Sequence, residues 1–386
     1  MQLTRNVFFL FATFVLASTA FASQQKPSEL ESYNRFMTNV LERIKQRDAA
    51  FFNDSVDLNL ILNDLITKGD FSKNDGRDIK AGFIKGYSRF GDIFISKLPE
   101  TFTPKLISMV KKGNRYYATV RMFAGEEGMA YYNFHLTKTK KGIQIVDWRD
   151  YSSGLLLSDA LSQVIIMMAP SSSVLERIYD GISGTAKERN KLMEAISAAV
   201  KKDYRQYIKH YKKLNLSTRK NKIFCVIAVQ LAMESDDDET YMWSMENLER
   251  FHGNDPSVSM LLIDYYYMKN EFAKVDEKMV QLQQKVGDKD SAIWWFRSEI
   301  AKTLGNLSKA LDFAKRGIKA EPLYEETYWT LLDCYIVLKE YKNAAEMANK
   351  IENMFNVEID DNSLMTVEGY SAAIRSSAWK AARRSR

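Results

Sequence analysis

Three carboxylates recur at a fixed interval in the C-terminal half: Asp264, Glu299 and Asp333 are separated by 35 and then 34 residues. Met260, Trp295 and Trp329 each stand four residues before one of them. Four residues is about one helical turn, so on helices each pair would share a face. A carboxylate beside a thioether or an indole suits non-covalent recognition of groups that are part cationic and part apolar.

The usual catalytic signatures are missing from the sequence. His135, His210 and His252 are the only histidines and fall in three different elements. No HExxH, CxxC, GxSxG or phosphate-binding glycine loop is present, so neither a zinc site nor a Ser-His-Asp triad is expected. The acidic run Glu234–Glu239 has consecutive acids and no glycine, unlike a calcium loop. It fits better as negative charge in front of a helix N-terminus. One set could move a proton next to a carbonyl: His135, Asp147, Asp150, Tyr117 and Tyr132. Strand alternation puts His135 on the face opposite Tyr132 and Phe134, so the set is not expected to converge. The expectation is a non-enzyme with no cofactor and no metal.

The elements that would position the carboxylates repeat. Ser257–Asp290, Ser291–Tyr324 and Glu325–Glu358 each hold an apolar, aromatic-rich helix, a short turn and a second helix. Phe272, Leu307 and Tyr341 keep the same interval, as do Val275, Ala310 and Ala344. A period of that length specifies stacked helix pairs, a solenoid. Asn221–Met233 and Glu239–His252 form a looser, degenerate unit before them. Thr185 and Glu188 have capping-box spacing and open a long helix expected to reach about Lys213.

The repeats resemble tetratricopeptide repeats, through Trp294, Gly305, Ala310 and Pro322 in one unit and Tyr328, Ala344 and Ala348 in the next. Ser257–Asp290 departs from that pattern at Val275 and Asp276. The resemblance implies that the first helix of each unit lines a concave groove. Met260, Asp264, Tyr267, Trp295, Glu299, Lys302, Trp329 and Asp333 would then bind a protein or peptide partner. Reversing the three carboxylates is expected to abolish capture without lowering the melting temperature.

Ahead of the repeats the period changes. Ser28 and Glu31 have capping-box spacing, and Leu30, Tyr33, Met37, Val40, Leu41 and Ile44 recur as on one helix face. Further helices are expected at Val56–Thr67 and Arg77–Ile95. Lys105–Val110, Arg115–Phe123, Gly128–Lys138 and Gly142–Trp148 read as four strands joined by glycine-containing turns. Helices followed by an antiparallel meander make an α+β unit. Its close, Tyr132–Leu136 and Gly142–Trp148, resembles the nuclear-transport-factor-like or cystatin-like roll, which implies a cavity.

The fold class is therefore an α+β N-terminal roll followed by an all-α helical-repeat solenoid, mainly α overall. Residues 1–22 read as a signal peptide: Arg5, the apolar run Val7–Leu16 and Ala20-Phe21-Ala22. The roll follows over 23–154, a helical connector over 155–220, the repeats over 221–358 and a helical, basic tail over 359–386. An exported protein is expected, periplasmic or else secreted, with no transmembrane segment after cleavage. Homo-oligomerisation through the terminal helices stays open, and so does a roll that binds a small molecule. The formal charge is +6. Arg5 leaves with the signal, and Arg375, Lys380, Arg383, Arg384 and Arg386 belong to the tail. The body is then near neutral, which argues against nucleic acid. The tail from Ala372 could bind a partner or fold onto the acidic groove, but a frayed end is the simpler expectation. Cys225 and Cys334 lie too far apart along the stack to bridge and are expected to be buried thiols.

Overall fold

The computed structural model describes residues 28–68, 73–86, 89–125, 128–168, 186–235 and 237–384. The expected signal peptide, Thr185 and the linker around Pro170 lie outside the described residues.

Five helices precede the sheet: α1 (Glu29–Lys45), α2 (Ala49–Ser55), α3 (Leu58–Lys68), α4 (Lys73–Gly86) and α5 (Phe90–Ser96). Ser28 caps α1 by accepting from the Glu31 N–H at 3.2 Å. Asp48 caps α2, a helix that the sequence reading passed over. The expected helix Arg77–Ile95 is two helices, α4 and α5. The strands are β1 (Thr103–Lys112), β2 (Arg115–Phe123), β3 (Met129–Thr139), β4 (Gly142–Asp150) and the short β5 (Leu155–Leu156). They form one antiparallel meander in chain order. Gly113, at φ +61°, makes the β1–β2 turn that a side chain would strain.

Alternation gives the sheet two different faces. Tyr116, Ala118, Val120 and Met122 of β2 point into a core with Met37, Phe52, Phe134 and Trp148. Each of these large side chains contributes roughly 1.5–3 kcal/mol by burial. Ile107, Tyr131, Tyr151 and Leu155 join a second core with Val226, Val258, Leu262 and Tyr266 from the helical half. The sheet therefore sits between its own helices and the helices that follow.

After α6 (Leu157–Met168), the described chain is a row of helical hairpins: α7 (Ala186–Val200) with α8 (Tyr204–Tyr211), then, past α9 (Leu216–Arg219), α10 (Lys222–Met233) with α11 (Asp238–His252). Next come α12 (Ser259–Met268) with α13 (Phe272–Val286), α14 (Ser291–Thr303) with α15 (Leu307–Ala320), and α16 (Glu326–Val337) with α17 (Tyr341–Phe355). The single helix expected to run to Lys213 is thus a hairpin, broken at Lys202 with φ +54°. Asn270, Gly305 and Lys339 take the same left-handed conformation after α12, α14 and α16. Each break has a Schellman cap: Asp203 donates to Ala198, Glu271 to Tyr266, Asn306 to Ala301 and Glu340 to Tyr335. Neighbouring hairpins approach closely at Gly317, where an added Cβ would lie 2.5 Å from Thr327 Cγ2.

The tail is folded, contrary to the frayed end expected from its charge. It forms α18 (Asp361–Leu364), α19 (Tyr370–Arg375) and α20 (Ser377–Arg384), and α20 packs on α17. Trp379 is fully buried, and Arg383 binds Glu352 at 2.5 Å. One apolar anchor and one buried ion pair outweigh the mutual repulsion of exposed cations.

Candidate functional site

The periodic residues fall on the first helix of three successive hairpins: Met260, Asp264 and Tyr267 on α12, Trp295, Glu299 and Lys302 on α14, Trp329 and Asp333 on α16. Met260, Trp295 and Trp329 are half-buried, and Met260 and Trp329 pack against the apolar cores of their hairpins. Trp295 meets Phe296 and Tyr324 edge-on, and the Trp329 indole N–H donates to Glu325 at 2.9 Å.

The carboxylates differ in their surroundings. Lys302 Nζ lies 2.9 Å from Glu299 and 2.9 Å from Asp333, bridging two hairpins. Thr330 donates to the second Glu299 oxygen at 2.6 Å, and the Tyr370 hydroxyl, from the tail, donates to Asp333. Burial opposes charge on Lys302, but Asp333 and Glu299 outweigh it and raise the ammonium above its ordinary value. Burial, then Asp333, pushes the Tyr370 phenol up. Glu299 and Asp333 are therefore not free for a partner. Reversing either charge would break a folded contact, which corrects the expectation that the triple reversal leaves stability untouched.

Asp264 is different. Its side chain is exposed and has no hydrogen-bond or ion-pair partner among the described residues. Neighbouring atoms nonetheless crowd it, and that partial desolvation raises its carboxyl above the ordinary value. Tyr267, 52% exposed, stands one turn on and contacts Phe272 and Phe296. Met260 lies one turn back. The carboxylate thus stands one turn from both Met260 and Tyr267, and close enough to Tyr241 to help raise that phenol, after the effect of its burial.

The five candidate proton-transfer residues are split between the faces of the sheet. Tyr117 and His135 meet on the outer face, rings 4.7 Å apart. Asp147 is taken up by Ser158, with its hydroxyl at 2.8 Å and its N–H at 3.2 Å. Tyr132 and Asp150 line a cleft of 240 Å³ on the helical side, with Phe90, Phe94, Trp148 and Leu161. Burial raises the Asp150 carboxyl, despite the Ser152 hydrogen bonds that oppose it, and pushes the Tyr132 phenol up as well.

One constellation escaped the sequence reading. Arg121 of β2, 4% exposed, pairs with Asp290 ahead of α14 and with Glu321 after α15. The Tyr131 hydroxyl also donates to Asp290, and Lys105 reaches Glu321. Tyr324 stacks beneath the guanidinium at 4.8 Å. Burial works against the Arg121 charge, but Asp290, Tyr131 and Glu321 outweigh it and raise it above its ordinary value. This cluster locks the sheet to the hairpins. A lone arginine within Tyr-Tyr-Ala-Thr-Val-Arg-Met-Phe was its one visible signal.

No protein-family model matches the chain, and no curated protein does. Solved structures give distant likenesses. MamA MSR-1 C2 is 11% identical, covers 45% of this chain and 98% of its own, with a TM-score of 0.34. PilW, described as a widely conserved type IV pilus biogenesis factor, is 13% identical and covers 52% of this chain and 93% of its own, with a TM-score of 0.33. At scores this low the likenesses carry no argument about this chain.

Proposed function

We propose that the chain is an exported, tetratricopeptide-type scaffold that holds a protein or peptide partner in the cell envelope. The observation that carries this is Asp264, an exposed, unpaired carboxylate set between Met260 and Tyr267 while its counterparts are bound internally. Partner contact centres on α12 and extends to Trp295 and Trp329. The preferred segment presents a lysine or arginine between apolar residues. Export rests on the N-terminal signal pattern.

Asp264→Lys tests the reading. The native mature protein should capture its partner from a periplasmic extract, and the variant should lose it while melting at the native temperature. Equal capture by both would refute the α12 surface.

The cleft beside Tyr132 and Asp150 supports a second reading, in which the roll binds a small apolar molecule and the hairpins serve oligomerisation. That reading predicts partner capture unaffected by Asp264→Lys, and a ligand that raises the melting temperature of the full chain.

A further inference from the structure

Where the hairpins do not cover the outer face of the sheet, a pocket of 340 Å³ opens between the two. That is the size of a small-molecule site. Strands supply Lys112, Thr119 and Arg149 to one wall, and the hairpins supply Lys222, Asp255 and Lys285 to the other. At the covered end of the same face, the buried cation Arg121 has two carboxylates. In the pocket the balance is reversed, with four cations and one carboxylate among the lining residues.

That carboxylate is already committed. Lys222 lies 3.1 Å from Asp255, which leaves Lys112, Arg149 and Lys285 without an acidic partner among the described residues. Arg149 is positioned by donating one N–H to the Gly154 carbonyl at 3.0 Å. The rest of its fork stays available for a planar anion. The Thr119 oxygen accepts from Asn133 at 3.1 Å, so its own hydroxyl hydrogen is free to donate. Thr119 is 3% exposed, a buried donor in a basic recess. Low-dielectric walls on two sides concentrate the field of the three uncompensated charges.

We propose that this pocket binds a compact anion carrying two or three phosphate or carboxylate charges. Lys112 and Lys285 contribute charge from opposite walls, Arg149 a bidentate fork and Thr119 an orienting hydroxyl. Because one wall belongs to the sheet and the other to the hairpins, the ligand bridges the two halves and stabilises the contact between them. This site is separate from the α12 surface and does not depend on it.

Titration calorimetry of the mature chain with pyrophosphate and with citrate tests the proposal, with glucose as the neutral control and the double variant Lys112→Gln, Lys285→Gln in parallel. Both lysines are exposed and have no acidic partner among the described residues, and Lys112 only rests over the Tyr117 ring at 5.6 Å, so the variant should fold with close to the native melting temperature. Saturable one-to-one binding of at least one anion is expected, weakening with added salt. The same anion should raise the melting temperature. The variant should bind it roughly tenfold or more weakly. Preference for pyrophosphate or for citrate would identify the phosphate or the polycarboxylate class. Absence of saturable binding, equal affinity in the variant, or equal binding of glucose would overturn the proposal.

Discussion

Replacing Asp290 by alanine should uncouple the sheet from the hairpins. The carboxylate is fully buried and accepts from Arg121, from the Tyr131 hydroxyl and from the Ala292 N–H at the start of α14. Loss of the helix cap alone costs about 1 kcal/mol. Stranding a buried partner is worse. Arg121 keeps Glu321 and the Tyr324 ring but loses its fully buried carboxylate, and Tyr131 loses its carboxylate acceptor, a change of roughly 3–5 kcal/mol for a broken buried pair. These costs overlap because they involve the same oxygens, so the expected loss is about 3–5 kcal/mol rather than their sum. Asp290→Asn keeps one acceptor, its Oδ1, for the cap, turns an amide N–H toward Tyr131, whose hydroxyl can accept, and removes the charge, so it should fall between alanine and native. Urea unfolding followed by both tryptophan fluorescence and far-ultraviolet dichroism is the assay. The native chain should give coincident transitions, and Asp290→Ala an earlier and separated one. An alanine variant within about 1 kcal/mol of native, with transitions still coincident, would show that the apolar contacts hold the halves together without the ion cluster.

Three further outcomes follow from the same contacts. Trp379→Ala should cost about 3–5 kcal/mol and release the tail to protease; an unchanged cleavage pattern would restore the frayed-tail expectation. Burial pushes the Cys225 and Cys334 thiols up to about 11. Neither should react with a thiol reagent at neutral pH until denaturant is added, and rapid labelling of the native protein would contradict their burial. Glu321 is held below its ordinary carboxylate value of 4.5, because Arg121 and Lys105 outweigh the effect of its burial. A lowered folded value means its stabilisation is present above pH 4.5 and lost as pH falls through the folded value. Glu321→Gln should flatten that part of the stability profile; an unchanged acid slope would remove Glu321 from the account.

Strands and hairpins were legible because their signals are local. The strand set Lys105–Val110 through Gly142–Trp148 reappears as β1 to β4, extended by a residue or two at several ends. Period-2 alternation and the turn glycines suffice for that. The break at Lys202 was not legible, since a lysine in the left-handed region carries no mark of it, whereas Gly305 at the matching place announces its turn. The tail was misjudged because its charge was weighed above its anchors: Trp379 and Tyr370 bury, and Arg383 finds Glu352. Arg121 stood out in its strand, but Asp290 lies 169 residues away, and no periodicity points from one to the other.

The repeat predicts three equivalent carboxylates, and one side chain breaks the equivalence. Tyr267, Lys302 and Ile336 hold matching positions, each three residues after its carboxylate. Only the middle unit has a cation there, and its reach extends forward to Asp333 as well as back to Glu299. Tyr370 then closes over Asp333 from the tail. Asp264 stands one unit earlier, outside these contacts and beside a tyrosine instead of a lysine. The carboxylate without an internal partner among the described residues therefore lies in Ser257–Asp290, the unit that departs from the repeat pattern at Val275 and Asp276. There Asp276 is itself used to hold Arg297, at 2.7 Å. Regular spacing sets the helices side by side, but the irregular side chains decide which carboxylate is left uncommitted.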